Sequence, residues 1–224
     1  MKKVSLFLFA GFITLLFSCK KDADSNGSTV TYQLATTNAA TVSGTGRIAG
    51  SFLTWDGGTA SVSEIKFEAK GENKVEYKSS ATKTVDLKAA LSTLGDIDVP
   101  HGTYEKVEFK IQFVPAASGS SLELQGTYTP TTGGAAVPVV IRFGEPFEMK
   151  YEKKTPTTID ANTDYTALST LALGILSQGV SESVLTNAVK TNGTIVISSS
   201  SNADLYNPLW SAFQGLLKVE IKQK

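Results

Sequence analysis

Cysteine and histidine are almost missing from this chain: among 224 residues there is one of each, Cys19 and His101. A lone cysteine excludes an internal disulfide framework and any Cys–His pair of the protease kind. A lone histidine excludes the two-histidine zinc sites of metallohydrolases. A Ser-His-Asp triad would have to use His101, and no Gly-x-Ser-x-Gly elbow occurs to present the serine. Excess charge is missing too. Lys plus Arg and Asp plus Glu each number 21, so charge alone points neither to nucleic acid nor to an anionic bilayer surface. No glycine-rich stretch is followed by Lys-Ser or Lys-Thr, which excludes a phosphate loop. The fold must therefore stand on an apolar core, with no cofactor indicated and no histidine- or cysteine-based metal site.

The one long apolar run, Val4 to Phe17, follows Lys2 and Lys3 and is interrupted by Gly11 and Thr14. A spanning helix needs about 20 apolar residues. This run has the length and the positive flank of a signal peptide. It ends in Leu16-Phe17-Ser18-Cys19, which resembles the lipobox of bacterial lipoproteins, a leucine three places before an obligatory cysteine. That resemblance implies cleavage after residue 18 and lipid on the sulfur and amine of Cys19. Several acyl chains would make the attachment durable where one would not. The expected location is the outer membrane of the cell envelope, on its periplasmic or its outer face. Residues 19–28 read as the lipidated cysteine and a polar tether. Asp22 and Asp24 in it partly resemble the acidic export signal of Bacteroidetes surface lipoproteins. The Asp22-Ala23-Asp24-Ser25-Asn26-Gly27 run echoes a calcium loop but lacks its later ligands and flanking helices.

Beyond Thr29 the apolar period becomes two. Glu64 to Lys70 and Lys106 to Phe113 alternate without a fault, as half-buried strands do. Gly46 to Trp55, Lys74 to Lys78, Leu122 to Tyr128, Val137 to Phe143 and Phe147 to Glu152 are further strands, bounded by clusters such as Asp56-Gly57-Gly58 and Thr131-Thr132-Gly133-Gly134. Strands at this spacing predict an antiparallel β-sandwich over residues 29–155. Leu87, Ala90 and Leu91 predict one or two helical turns within Asp86 to Leu91.

Residues 156–224 read as a helical C-terminal portion with short strands that packs on the sandwich. Tyr165, Leu168, Leu171, Ala172, Ile175 and Leu176 fall on one helical face, with Asn162 or Thr163 as cap. Ser181 caps a second helix, with Val184, Leu185 and Val189 on its inner side. Thr194 to Ser198 is β-branched and reads as a strand. Asn207-Pro208 reads as an N-cap with proline at the first helical position, opening a helix with Leu209, Trp210, Phe213, Leu216 and Leu217 as its buried stripe. Val219 and Ile221 alternate with charges in a last strand.

Catalytic constellations are hard to assemble from what remains. Asp96 and Asp98 lie two apart. Glu64 and Glu68 share a strand face with Lys66 and Lys70, which reads as a self-neutralising surface. His101 sits in Val99-Pro100-His101-Gly102-Thr103-Tyr104, a tight turn entering a strand. Trp55, Tyr77, Tyr128, Tyr151 and Tyr206 have apolar faces and polar tips suited to sugar rings. Trp55, beside Asp56-Gly57-Gly58, is the residue singled out as a ligand contact.

The segments "IKFEAK", "VDLKAAL" and "VPHGTYEKVEFKIQF", between Ile65 and Phe113, look like those of uncharacterised bacterial lipoprotein domains with a prealbumin-like or immunoglobulin-like β-sandwich. The likeness implies a core tyrosine, Tyr104, and a cell-envelope protein, and it assigns no catalytic residue. The sequence thus leads to a mainly β, lipid-anchored binding or assembly module that is not an enzyme. Its expected partners are the membrane, through the lipid on Cys19, and a glycan or a protein. A carboxylate-dependent hydrolase and a structural subunit of fimbria or envelope assembly are the alternatives.

Overall fold

The computed structural model describes residues 27–37, 52–72, 74–79, 82–176, 180–215 and 217–223. The signal-peptide and lipobox segments, Cys19 included, lie outside the described residues, and so do residues 22–26 of the calcium-loop run and the part of the expected Gly46 to Trp55 strand that precedes Phe52.

The chain is mainly β. In order it forms β1 (Gly27–Thr37), β2 (Leu53–Gly71), β3 (Lys74–Ser79), β4 (Lys83–Asp86), β5 (Leu91–Pro100), β6 (Gly102–Phe113) and β7 (Leu122–Tyr128). Then come β8 (Val137–Phe143), β9 (Phe147–Lys153), β10 (Thr157–Ile159), β11 (Tyr165–Ala172), α1 (Leu173–Leu176), α2 (Glu182–Thr186), β12 (Lys190–Thr191), β13 (Thr194–Ile197), α3 (Ala203–Gly215) and β14 (Leu217–Gln223).

The 19-residue β2 organises a ten-stranded sheet. Along one side of it run β3 and then β4, and along the other β6 and then β7. Outside these, β9 and β10 pair with β6, and β8 pairs with β7. A strand this long keeps an apolar inner face only by changing parity. Bulges between Trp55 and Gly57 and between Val62 and Glu64 do this, since each extra residue swaps the faces. Inward residues accordingly run Leu53 and Trp55, then Ala60 and Val62, then Ile65, Phe67 and Ala69. Gly58 has no alternative at its place: a Cβ there would lie 2.1 Å from the Glu123 carbonyl oxygen.

A four-stranded sheet in the order β14-β11-β1-β5 faces one half of the large one, with the Tyr32 and Phe109 rings 4.5 Å apart across the interface. Over the other half lie the helices. Phe213 stacks on Phe143 at 5.1 Å, and the Tyr128 hydroxyl meets Thr186 of α2 at 2.6 Å. The buried side chains under both covers form one continuous core.

Several expectations need correction. The pairing is mixed and not purely antiparallel, because β1 runs parallel to β11 and β13 parallel to β8. Tyr165 to Ala172 is a strand, its inward side being Tyr165, Ala167, Ser169 and Leu171, and only residues 173–176 are helical. Pairing with β1 on one side and β14 on the other decides between the two periods that this stretch supports. The C-terminal portion is thus less helical than expected, and it supplies two of the four strands of the small sheet. Asp86 to Leu91 is a turn into β5, with Leu87 buried and Leu91 50% exposed. In α2 only Leu185 is buried; Val184 is exposed, and Val189, also exposed, lies beyond the helix end. The third helix opens at Ala203, so Pro208 stands inside it. There proline forgoes the bond its N–H would make to the Asp204 carbonyl. Asn202 precedes the helix at φ 50°, its side-chain amide tying both backbone groups of Val189 and the Val196 carbonyl. Gly27 and Ser28 belong to β1 and not to the tether: Ser28 is buried and its hydroxyl donates to the Asp160 carbonyl.

Candidate functional site

Alternation along β2, β6 and β9 sends every second residue outward, and there the large sheet carries rows of charge. The register sets like against like: Glu68 lies opposite Glu76 on one side and Glu108 on the other, and Glu108 opposite Glu152. Lys66 lies likewise between Lys78 and Lys110. Such pairs repel when directly opposed, and the ion pairs run along strands and diagonally. Glu68 receives Lys66 at 3.0 Å and Lys70 at 2.9 Å. Lys106 bridges Glu108 and Glu152, both at 2.9 Å. Hydrogen bonds from Lys70 and then Lys66 hold the Glu68 carboxyl down to about 2, and a hydrogen bond from Lys106 does the same for Glu152. These carboxylates are pinned in their ionised form, the reverse of the raised pKa that a general acid needs.

Trp55 is 5% exposed, on the inner face of β2 against Gly126. It offers no face for a sugar, which corrects its choice as a ligand contact. Its approach to Gly-Gly suggests a loop in the sequence, whereas the bulge carries the strand through that point. Tyr128 and Tyr206 are also buried, and burial followed by the neighbouring Glu145 raises the pKa of Tyr206, whose hydroxyl donates to Glu145. Tyr77 is 38% exposed at the margin of the inner face, opposite the buried Phe67 in the β2–β3 pair. Asp96 and Asp98 are exposed on β5, with Asp98 accepting from the Thr29 hydroxyl at 3.3 Å. His101 is exposed in the turn between β5 and β6, and the buried Tyr104 closes that turn by donating to the Pro100 carbonyl at 2.7 Å. Among the described residues no group of His, Cys, Asp and Glu could hold a metal ion, and no helix is long and apolar enough to cross a membrane.

Apolar, aromatic, charged and amide groups converge between the two sheets. At the end of the molecule where β1 begins, β9 and β10 diverge from β1, β11 and β14 to leave a cleft of about 330 Å³. Its floor is apolar, made of Val30, Phe67, Val107 and Ile159, which continue the core. One wall carries Tyr151, Lys153, Thr157 and Thr158, and the other Asp160, Tyr165 and Gln223. The Asp160 corner is built: its N–H donates to the Tyr165 hydroxyl at 3.0 Å, that hydroxyl points back to Asp160 Oδ2 at 3.4 Å, and Gln223 Nε2 stands 3.5 Å from the same oxygen. Buried Ser28, on the Asp160 carbonyl, fixes the same loop from β1.

Opposite lies Lys153. In β9 the inward series is Phe147, Met149, Tyr151 and Lys153, so a lysine takes the last place of an apolar face. Among the described residues neither its ammonium nor the Tyr151 hydroxyl has a hydrogen-bond or ion-pair partner, although both side chains are only half-buried. Of the five aromatic residues named from sequence as suited to sugar rings, Tyr151 is the one that lines this cleft. Lys153, Asp160, Tyr165 and Gln223 had no sequence signal as a group, since they come from three separate strands and the loop after β10. Parity could have flagged Lys153, two places beyond Tyr151.

No protein-family model matches the chain, and neither a curated protein nor a solved structure shows a significant match to it.

Proposed function

We propose that this is a lipid-anchored protein of the cell envelope whose two facing sheets form a β-sandwich of prealbumin-like or immunoglobulin-like type, acting as a non-catalytic glycan-binding module. The anchor rests on the Leu16-Phe17-Ser18-Cys19 motif, and the attachment is to the outer membrane through lipid on Cys19. The observation that carries the binding role is the inter-sheet cleft. It combines an apolar floor, a half-buried tyrosine and convergent hydrogen-bonding groups, the mixture that holds a sugar ring by its C–H face and its hydroxyls together. Its volume is at the lower end of the usual ligand-pocket range of about 300–1,000 Å³, which suits one ring of a glycan and is too small for a protein face. A hydrolytic role gains no support from the carboxylates: the cleft contains Asp160 without a second acid, and the strongly perturbed glutamates are shifted downward.

Two experiments test the reading. Cys19→Ser should abolish incorporation of labelled fatty acid and release the protein from the membrane fraction; unchanged labelling would remove the anchor. Titration of the full chain in mild detergent against an oligosaccharide panel should find a ligand whose binding Tyr151→Ala weakens by about tenfold, the scale of one lost ring contact. The assembly alternative has one observation in its favour: β5, ten residues long, pairs with β1 alone among the described residues and so stands at the edge of the small sheet. Such an edge can accept another strand, but Lys83 already donates to its Thr93 carbonyl at 2.9 Å. A chain that remains monomeric at high concentration would leave that role without a basis.

A further inference from the structure

We infer that the cleft selects a sugar ring bearing a carboxylate, such as a uronic or sialic acid, and that Lys153 is the residue that reads the charge. This rests on the glycan-binding reading and goes beyond it by fixing the chemical class of the ring. The contrast between lysines carries the argument. On the outer face of the same strands, Lys66, Lys70, Lys106, Lys110 and Lys150 each stand within 3.3 Å of a glutamate oxygen. Lys153 is turned inward by the strand's parity, is half-buried, lines the cleft, and has no anionic partner among the described residues. Partial burial of a cation is unfavourable unless an anion or hydrogen-bond acceptors meet it. In the liganded protein that anion would come from the sugar.

The other wall fixes the orientation. Asp160 is held by Tyr165 and Gln223 on the β11 and β14 side of the cleft and, among the described residues, forms no ion pair with Lys153. Its carboxylate would repel a second carboxylate and accept from sugar hydroxyls, so the ring's acid group points to Lys153 and its hydroxyls to Asp160. Tyr151, next inward on β9, supplies the apolar surface between them. An inward lysine at the end of a strand also guards against edge-to-edge pairing, and it can extend its amine to water along an apolar stem. Either role would make Lys153 indifferent to ligand charge, which is what the test separates.

The experiment is calorimetric titration of the full chain in mild detergent with oligosaccharides containing galacturonic, glucuronic or sialic acid, each beside its neutral counterpart. An acidic oligosaccharide should bind at least about tenfold more tightly than its neutral counterpart, a preference that falls as salt rises from low to physiological strength. Lys153→Gln should erase the preference and Lys153→Arg should keep most of it. Lys150→Gln, on the outer face, should leave it intact. Circular dichroism of each variant confirms that it is folded. Binding of neutral and acidic forms with equal affinity, or a Lys153→Gln variant that keeps the preference, overturns the inference and leaves glycan binding standing. Failure of every acidic and neutral oligosaccharide to bind overturns both.

Discussion

The two faces of β6 and β9 are built from the same strands, residue by residue in alternation, and they differ in how completely their needs are met. Outward, each lysine of those strands up to Lys150 finds glutamate neighbours, and the acids are held ionised by them. Inward, Phe109, Ile111, Phe113 and Met149 are wholly buried and need nothing more. Only where the inner face runs out, at Tyr151 and Lys153, are polar groups left half-buried with no protein partner among the described residues. A closed electrostatic ladder belongs to a surface that interacts chiefly with water. An unmet cation beside an apolar floor belongs to a site that waits for a ligand.

The largest effect that would sharpen this contrast is on the inner face. Phe109→Ala removes a fully buried ring in contact with Tyr32 across the sheets and should lower stability by about 3–5 kcal/mol in urea unfolding. A near-neutral result would mean that the core does not lie between these sheets. Gly58→Ala should come next, at about 1–3 kcal/mol, because its Cβ would press on the Glu123 carbonyl and the strand would have to shift.

Acid should act on the outer face. The folded-state pKa values of Glu68 and Glu152 are lowered to about 2 from an ordinary 4.5. Their contribution is therefore fully present above about pH 4.5 and is lost as pH falls toward 2. Urea midpoints between pH 6 and 2 should decline over that window, and added salt should shrink the decline. Smallest is Glu68→Gln at neutral pH. Glu68 is only 8% exposed, but its partners Lys66 and Lys70 reach water and the amide keeps one acceptor oxygen for them, so the change should cost about 1 kcal/mol. A loss as large as that of Phe109→Ala would show that the ladder, and not the core, holds the sheet.

Much of this division was legible in the sequence. Glu64 to Lys70 and Lys106 to Phe113 announce both strand and face, because charge and apolarity alternate with no residue out of step. Tyr165 to Leu176 was not legible, because its leucines fit a helical stripe while Tyr165, Ala167, Ser169 and Leu171 fit a strand. Only the neighbours β1 and β14, far away in sequence, choose between these. Trp55 misled for a related reason: a glycine pair after a tryptophan reads as a loop, and here it is a bulge inside the longest strand. The cleft escaped sequence reading because its walls come from four separate strands and the loop at Asp160, and nothing local marks their meeting.

The most direct test of the central claim is the affinity of the full chain for its best oligosaccharide, measured side by side with Tyr151→Ala and Trp55→Phe. Tyr151 lines the cleft and Trp55 is buried in the core. Tyr151→Ala should weaken binding about tenfold while Trp55→Phe leaves affinity unchanged. Oligosaccharide binding that survives the loss of Tyr151 intact, or no binding by the native chain at all, would contradict that claim.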